Sequence, residues 1–250
     1  MSTPASAEAL SHNTHDPYLA HHFEDRQQQD ESHTLGLWVF LATEIMFFGG
    51  LFLAFTVYHV VFSEAFGLAS NKLAISYGVI NTGVLLLSSF TMAMSVYSAQ
   101  TGQKKKIIAY LAVTLLCACT FMGIKYVEWK SKFDHHLVPG PSFKFDIDDP
   151  YPAAELPANW PEKREALLAA DPYIERHAQM FFVMYFCITG LHGIHVLIGM
   201  GLIGWILLRA IRGEFNERWF TPVEMVGLYW HLVDVIWIYV FPLIYLIHRH

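Results

Sequence analysis

Between His177 and Leu208 the chain reads HAQMFFVMYFCITGLHGIHVLIGMGLIGWILL, with no Asp, Glu, Lys or Arg in it. A helix rising ~1.5 Å per residue needs ~20 apolar residues to cross ~30 Å of hydrocarbon, so this stretch spans a bilayer and protrudes from it. Asp171 and Pro172, an N-cap residue followed by proline, mark its start.

Four more stretches meet the same test. Leu35 to Phe62 carries Glu44 as its only formal charge, and Leu73 to Ala99 carries none. Ile107 to Trp129 is interrupted only near its end, by Lys125 and Glu128. The last opens at Thr221-Pro222-Val223-Glu224, which reads as N-cap, first-turn proline and capping-box glutamate, and runs to about Ile247 with Asp234 inside it. The expected fold is therefore all-α, an integral membrane bundle of five transmembrane helices over residues 35–250.

Composition agrees. The chain is 54% hydrophobic and 15% charged, with a mean hydropathy of +0.34, whereas soluble domains carry about 25% charged residues. So many large apolar side chains exclude disorder, and a net charge of -6 argues against nucleic acid as a partner. Cys117, Cys119 and Cys187 lie within apolar runs without the spacing of a zinc, redox or covalent haem motif, and they read as inert small hydrophobes.

Residues 1–34 form a polar tail with six acids against the single Arg26 and no apolar core of a signal peptide. Its histidines, His12, His15, His21, His22 and His33, have no regular spacing. Lys and Arg concentrate on one side of the membrane: Arg26, then Lys104, Lys105 and Lys106, then Arg209, Arg212 and Arg218. That bias places the N-terminus in the cytoplasm and the C-terminus outside. The proline-rich connection at about 130–176 is then extracytoplasmic, with a short helix expected near Pro161 to Ala170. From Glu128 to Arg176 it has ten acids against six bases, so it is a candidate rim for a basic electron donor.

Ionisable groups at membrane depth cost several kcal/mol unless paired or wetted, which makes each a functional candidate. Glu44 lies about 15 Å into its helix, too deep to reach the interface. It can serve as a proton relay, a metal ligand, an anchor for a lipid, or a protonated carboxyl bonded to another helix. His192 and His195 stand three residues apart on one helix face among Gly190, Gly193 and Gly199. His231 and Asp234 repeat that spacing, so the carboxylate can orient the imidazole, which in turn can bond across toward His192 or His195. Haem or metal ligation competes here with plain interhelical hydrogen bonding. Lys125 and Glu128 at the outer helix end read as an interfacial salt bridge or headgroup contact.

Taken together, LGLWVFLATEIMFFGG from Leu35 to Gly50, Asn81-Thr82, GLHGIHVLIG from Gly190 to Gly199 and YWHLVDVIW from Tyr229 to Trp237 resemble subunit III of the haem-copper cytochrome c oxidases in its five-helix bacterial form. IKYVEW from Ile124 to Trp129 is similar more loosely. The resemblance implies an accessory subunit with no haem or copper of its own, packed against catalytic subunit I and subunit II in the bacterial cytoplasmic (inner) membrane. It implies that Glu44, His192, His195, His231, Asp234 and Trp237 line or brace a cleft that holds phospholipid. It also implies support for proton uptake, oxygen access and turnover lifetime. Cytochrome c or a quinol as donor, and membership of a respiratory supercomplex, stay open. The competing functions are a haem-binding membrane electron carrier using His192, His195 and His231, and a small proton-coupled transporter using Glu44.

Overall fold

A computed structural model of the chain describes residues 25–141, 143–149, 159–215 and 219–246. It forms two compact units, Met1–Ala42 and Thr43–His250. Among the described residues are seven helices: α1 (Arg26–Val61), α2 (Ser63–Asn71), α3 (Ile75–Gln100), α4 (Lys104–Asp134), α5 (Trp160–Ala170), α6 (Ile174–Arg212) and α7 (Thr221–Tyr245). Five of them, α1, α3, α4, α6 and α7, are long and apolar enough to cross a membrane, so the chain is a multi-pass membrane protein.

Within the first unit, α1 starts nine residues ahead of the expected Leu35, inside the stretch read as a polar tail. Asp25 supplies the cap: its Oδ1 accepts the Gln28 N–H at 2.7 Å. One turn on, Gln27 donates to Glu31 at 2.8 Å. Tail residues 1–24, with four of its five histidines, lie outside the described residues.

The second unit is built on a ring of four helices in which α3 packs on α4 and α7, and α6 packs on α4 and α7. Lipid tails are as apolar as leucine, so burial alone does not drive helices together in a membrane; small residues and interhelical hydrogen bonds do. Helix α3 supplies a polar seam for this purpose. Its Thr91 meets Thr114 of α4 at 2.8 Å, its Ser88 accepts the Trp230 indole N–H at 3.0 Å, and its Thr82 accepts that of Trp237 at 3.2 Å. Gly199 lets α6 approach the Trp230 ring so closely that an added Cβ would lie 2.7 Å from it. The rest of α1, from Thr43, reaches this ring through Phe48, 5.3 Å from the His195 ring, and Phe55, 5.9 Å from Phe181.

Helix ends differ from expectation in detail. Helix α7 begins at Thr221 with Phe220 as its cap, so Thr221 lies inside the first turn. Asp171 precedes α6 and organises its start, accepting the Tyr173 N–H at 3.0 Å and facing His177 Nδ1 at 2.6 Å. Gly213 ends α6 at φ +80°, a left-handed conformation that glycine adopts without steric cost. Helix α5 falls where a short helix was expected, while α2 was not anticipated.

Around the connection between α4 and α6, Lys132 donates to the Lys72 carbonyl and Lys72 to the Asp149 carbonyl, with Asp149 Oδ2 3.4 Å away. Burial pushes the Lys72 ammonium below its ordinary pKa, and Asp149 pulls it back up. Asp148 accepts the Trp160 indole N–H and the Arg164 Nε–H, each at 2.9 Å. The indole donor, aided by the Arg164 charge, lowers the Asp148 carboxyl from its usual 3.8. A group whose folded pKa is depressed contributes above the unfolded pKa and loses that contribution as pH falls through the folded one. The Trp160 contact should therefore survive at pH 3.8. Tryptophan fluorescence of wild type minus Asp148→Asn should show a titration with its midpoint below that value.

Candidate polar sites within the bundle

Glu44 and His195 meet across α1 and α6, with Oε2 2.9 Å from Nε2. His195 Nδ1 lies 2.8 Å from the Leu191 carbonyl. A carbonyl only accepts, so Nδ1 carries a proton, and the Nε2 contact with Glu44 then needs one more proton shared between them. Held by the acid or by the imidazole, that proton leaves the pair with no net charge. Such a pair can stand at membrane depth where an isolated carboxylate cannot. The Tyr229 hydroxyl donates to the His195 carbonyl at 3.1 Å and fixes this turn of α6 against α7.

A second cluster is more buried than its place in the sequence suggests. Lys125 and Glu128 form the expected salt bridge, but they are closed to headgroups, with 8% and 1% of their side chains exposed. Glu128 Oε2 accepts Lys125 Nζ at 2.9 Å, while Oε1 accepts the hydroxyls of Tyr185 at 3.0 Å and Tyr245 at 2.5 Å. The ammonium also donates to the Tyr245 oxygen at 2.9 Å and lies 4.8 Å from the Trp237 ring centre. The partners come from α6 and α7, so the burial was invisible in α4 alone. Its signal was nonetheless present: Lys125, Glu128 and Lys132 share one helix face by their spacing, and all three are buried.

His231 and Asp234 do not form the expected pair. His231 Nδ1 faces the Ser89 hydroxyl of α3 at 2.8 Å. Asp234 is buried and neither carboxyl oxygen makes a hydrogen bond, though Ser89 is its polar neighbour too. His231 therefore bonds toward α3 rather than toward His192 or His195. A three-residue spacing permits a contact along one helix without requiring it, and here the imidazole is taken by a hydroxyl on the facing helix.

His192 stands apart from both pairs. It is buried between Phe121, 5.8 Å away, and Trp237, 5.2 Å away, with neither ring nitrogen hydrogen-bonded. Trp237 thus contacts His192, Lys125 and Thr82 from three helices. Both nitrogens of His195 are engaged, by Glu44 and Leu191, and Nδ1 of His231 by Ser89 on another helix, so the three histidines do not present one convergent ligand set. No group of three metal-binding side chains was found among the described residues.

Comparison with known proteins reaches the same elements. The family described as Cytochrome c oxidase subunit III matches residues 176–248, which hold α6 and α7. The chain is 27% identical over 251 residues to cytochrome bo(3) ubiquinol oxidase subunit 3 of Pseudomonas aeruginosa, covering 96% of this chain and 98% of that one. It is 27% identical over 213 residues to quinol oxidase subunit 3 of Bacillus subtilis, covering 85% of each. Likeness to the probable quinol oxidase subunit 3 of Staphylococcus haemolyticus is 25% over 224 residues, 90% of this chain and 93% of that one.

Proposed function

Because this chain belongs to the subunit III family of the haem-copper oxidases, we propose that it braces the catalytic subunit of a bacterial terminal oxidase and holds phospholipid against it. In this reading the N-terminus is cytoplasmic, the long connection faces outward, and the haem and copper reside in partner subunits I and II. The family resemblance supports a role in sustaining proton uptake and oxygen access during turnover. The Glu44–His195 pair carries the reading. It joins α1 to α6 through a contact that carries no net charge, and in this reading acyl chains lie against it. In this reading His192, Asp234 and Trp237 brace the bundle behind it from within the ring, and His231 does so from the α3–α7 edge.

Breaking the bridge is the test. Glu44→Ala should leave the complex assembled, remove at least one co-purified phospholipid, and shorten the catalytic lifetime several-fold while the initial rate stays near wild type. Lipid analysis and progress curves read the two effects. Unchanged lipid content and lifetime would make Glu44 a bystander.

The relatives' names support a quinol as the electron donor of the complex. The outer connection supports this as well, because Asp148 is held by Trp160 and Arg164 and Asp149 lies beside Lys72, which leaves fewer acids for a basic protein donor. Purified complex should oxidise a ubiquinol analogue faster than cytochrome c by more than tenfold. Neutralising Asp146, Asp148 and Asp149 together should leave the ionic-strength dependence of the rate unchanged.

A further inference from the structure

The residues of α7 that are not buried fall along one edge, through Leu228, His231, Val235 and Tyr239. Most of this edge is ordinary lipid-compatible surface. His231 is not. It lies ten residues into α7, about 15 Å from the helix start and so near mid-membrane. Its Nδ1 is taken by Ser89, its Nε2 makes no hydrogen bond among the described residues, and the side chain is partly exposed.

An imidazole nitrogen facing hydrocarbon costs a few kcal/mol, because acyl chains offer neither donor nor acceptor. Headgroup oxygens lie about half a bilayer thickness away. The nitrogen cannot turn inward either, since Ser89 fixes the ring from the other side and the buried Asp234 lies behind that hydroxyl. A polar side chain on a neighbouring transmembrane helix satisfies the group at that depth. Around His231 the surface is apolar and exposed, with Val235 on α7 and Leu86 and Phe90 on α3, which suits a packed helix.

We propose that the α3–α7 edge centred on His231 is the docking surface for a transmembrane helix of the catalytic oxidase subunit, one that presents a hydrogen-bonding side chain to His231 Nε2. This rests on the assignment of the chain as an oxidase subunit, and it adds which face meets the partner and by what chemistry.

The test uses the complex purified from membranes, with benzoylphenylalanine in place of Val235, one turn beyond His231, and the native His231 retained. Irradiation should yield a covalent adduct to a transmembrane segment of the catalytic subunit I, identified by mass spectrometry. Adducts to subunit II, to lipid alone, or to a second copy of this chain overturn the proposal while leaving the oxidase assignment standing. If the wild-type chain brings down no haem-containing subunits, the assignment falls and the docking face with it. A second arm compares retention of the chain on the complex in detergent. His231→Ala should lower it about tenfold and His231→Gln, which keeps a hydrogen-bonding group, should stay within about twofold of wild type. Equal retention of all three overturns the proposal.

Discussion

Glu128→Gln should destabilise the chain by about 3–5 kcal/mol, the range found when one partner of a buried ion pair is removed. Glu128 is the only carboxylate within reach of Lys125 in the contacts described, and it accepts three hydrogen bonds at once, from Lys125, Tyr185 and Tyr245. The amide keeps the shape but leaves the ammonium buried and uncompensated, since Trp237, Tyr185 and Tyr245 offer only ring faces and a hydroxyl. Unfolding of the detergent-solubilised chain should shift to markedly lower temperature, and less of the chain should accumulate in membranes. The double variant Lys125→Met, Glu128→Leu should recover much of the loss, because a buried pair exchanged for apolar side chains of similar volume is often close to neutral. If the single variant unfolds like wild type, water reaches the pair and its burial has no energetic consequence.

The spans were legible because a membrane helix must satisfy its backbone internally and show hydrocarbon to lipid, which leaves a long charge-free run in the sequence. Helix α2 left no such mark: Ser63–Asn71 is short, and its buried side chains Phe66 and Ala69 are apolar only where they meet the bundle. Glu44 and His195 were legible one by one as groups that membrane depth must pair, yet their union depends on partners 151 residues apart. The same limit explains why the burial of one pair and the true partner in another were missed. Lys125 and Glu128 sit near the end of an apolar run, where a charge ordinarily meets headgroups. Tyr185 and Tyr245 turn that end into core, and neither tyrosine carries a formal charge that would attract notice. His231 and Asp234 share a spacing that favours a pair, while Ser89, 142 residues away from His231, looks like any small residue of a membrane helix.

Gly199→Ala should damage the bundle far more than the size of one methyl suggests. Its Cβ would fall 2.7 Å from two Trp230 ring atoms and 3.3 Å from the Tyr229 ring. Neither neighbour can yield easily: Trp230 is fully buried and pinned by its indole N–H to Ser88, and Tyr229 is tied to the His195 carbonyl. The methyl must therefore push α6 away from α7, at the typical overpacking cost of about 1–3 kcal/mol. The displacement would also act on His195, one turn earlier on α6, and so on its 2.9 Å contact with Glu44. Gly193→Ala provides the contrast, because its Cβ meets nothing within 4 Å and its replacement should stay within about 0.5 kcal/mol of wild type. Thermal unfolding of the solubilised chain measures both variants. Phospholipid content then separates simple loosening from loss of the Glu44 bridge: Gly199→Ala should shed the same lipid as Glu44→Ala, and Gly193→Ala should keep it. Adding Trp230→Phe to Gly199→Ala opens space where the clash arises, so part of the stability should return, less the Ser88 hydrogen bond. If Gly199→Ala proves as stable as Gly193→Ala, the approach of α6 to Trp230 is not a close-packed constraint, and the hydrogen bonds along α3 alone hold the ring of helices together.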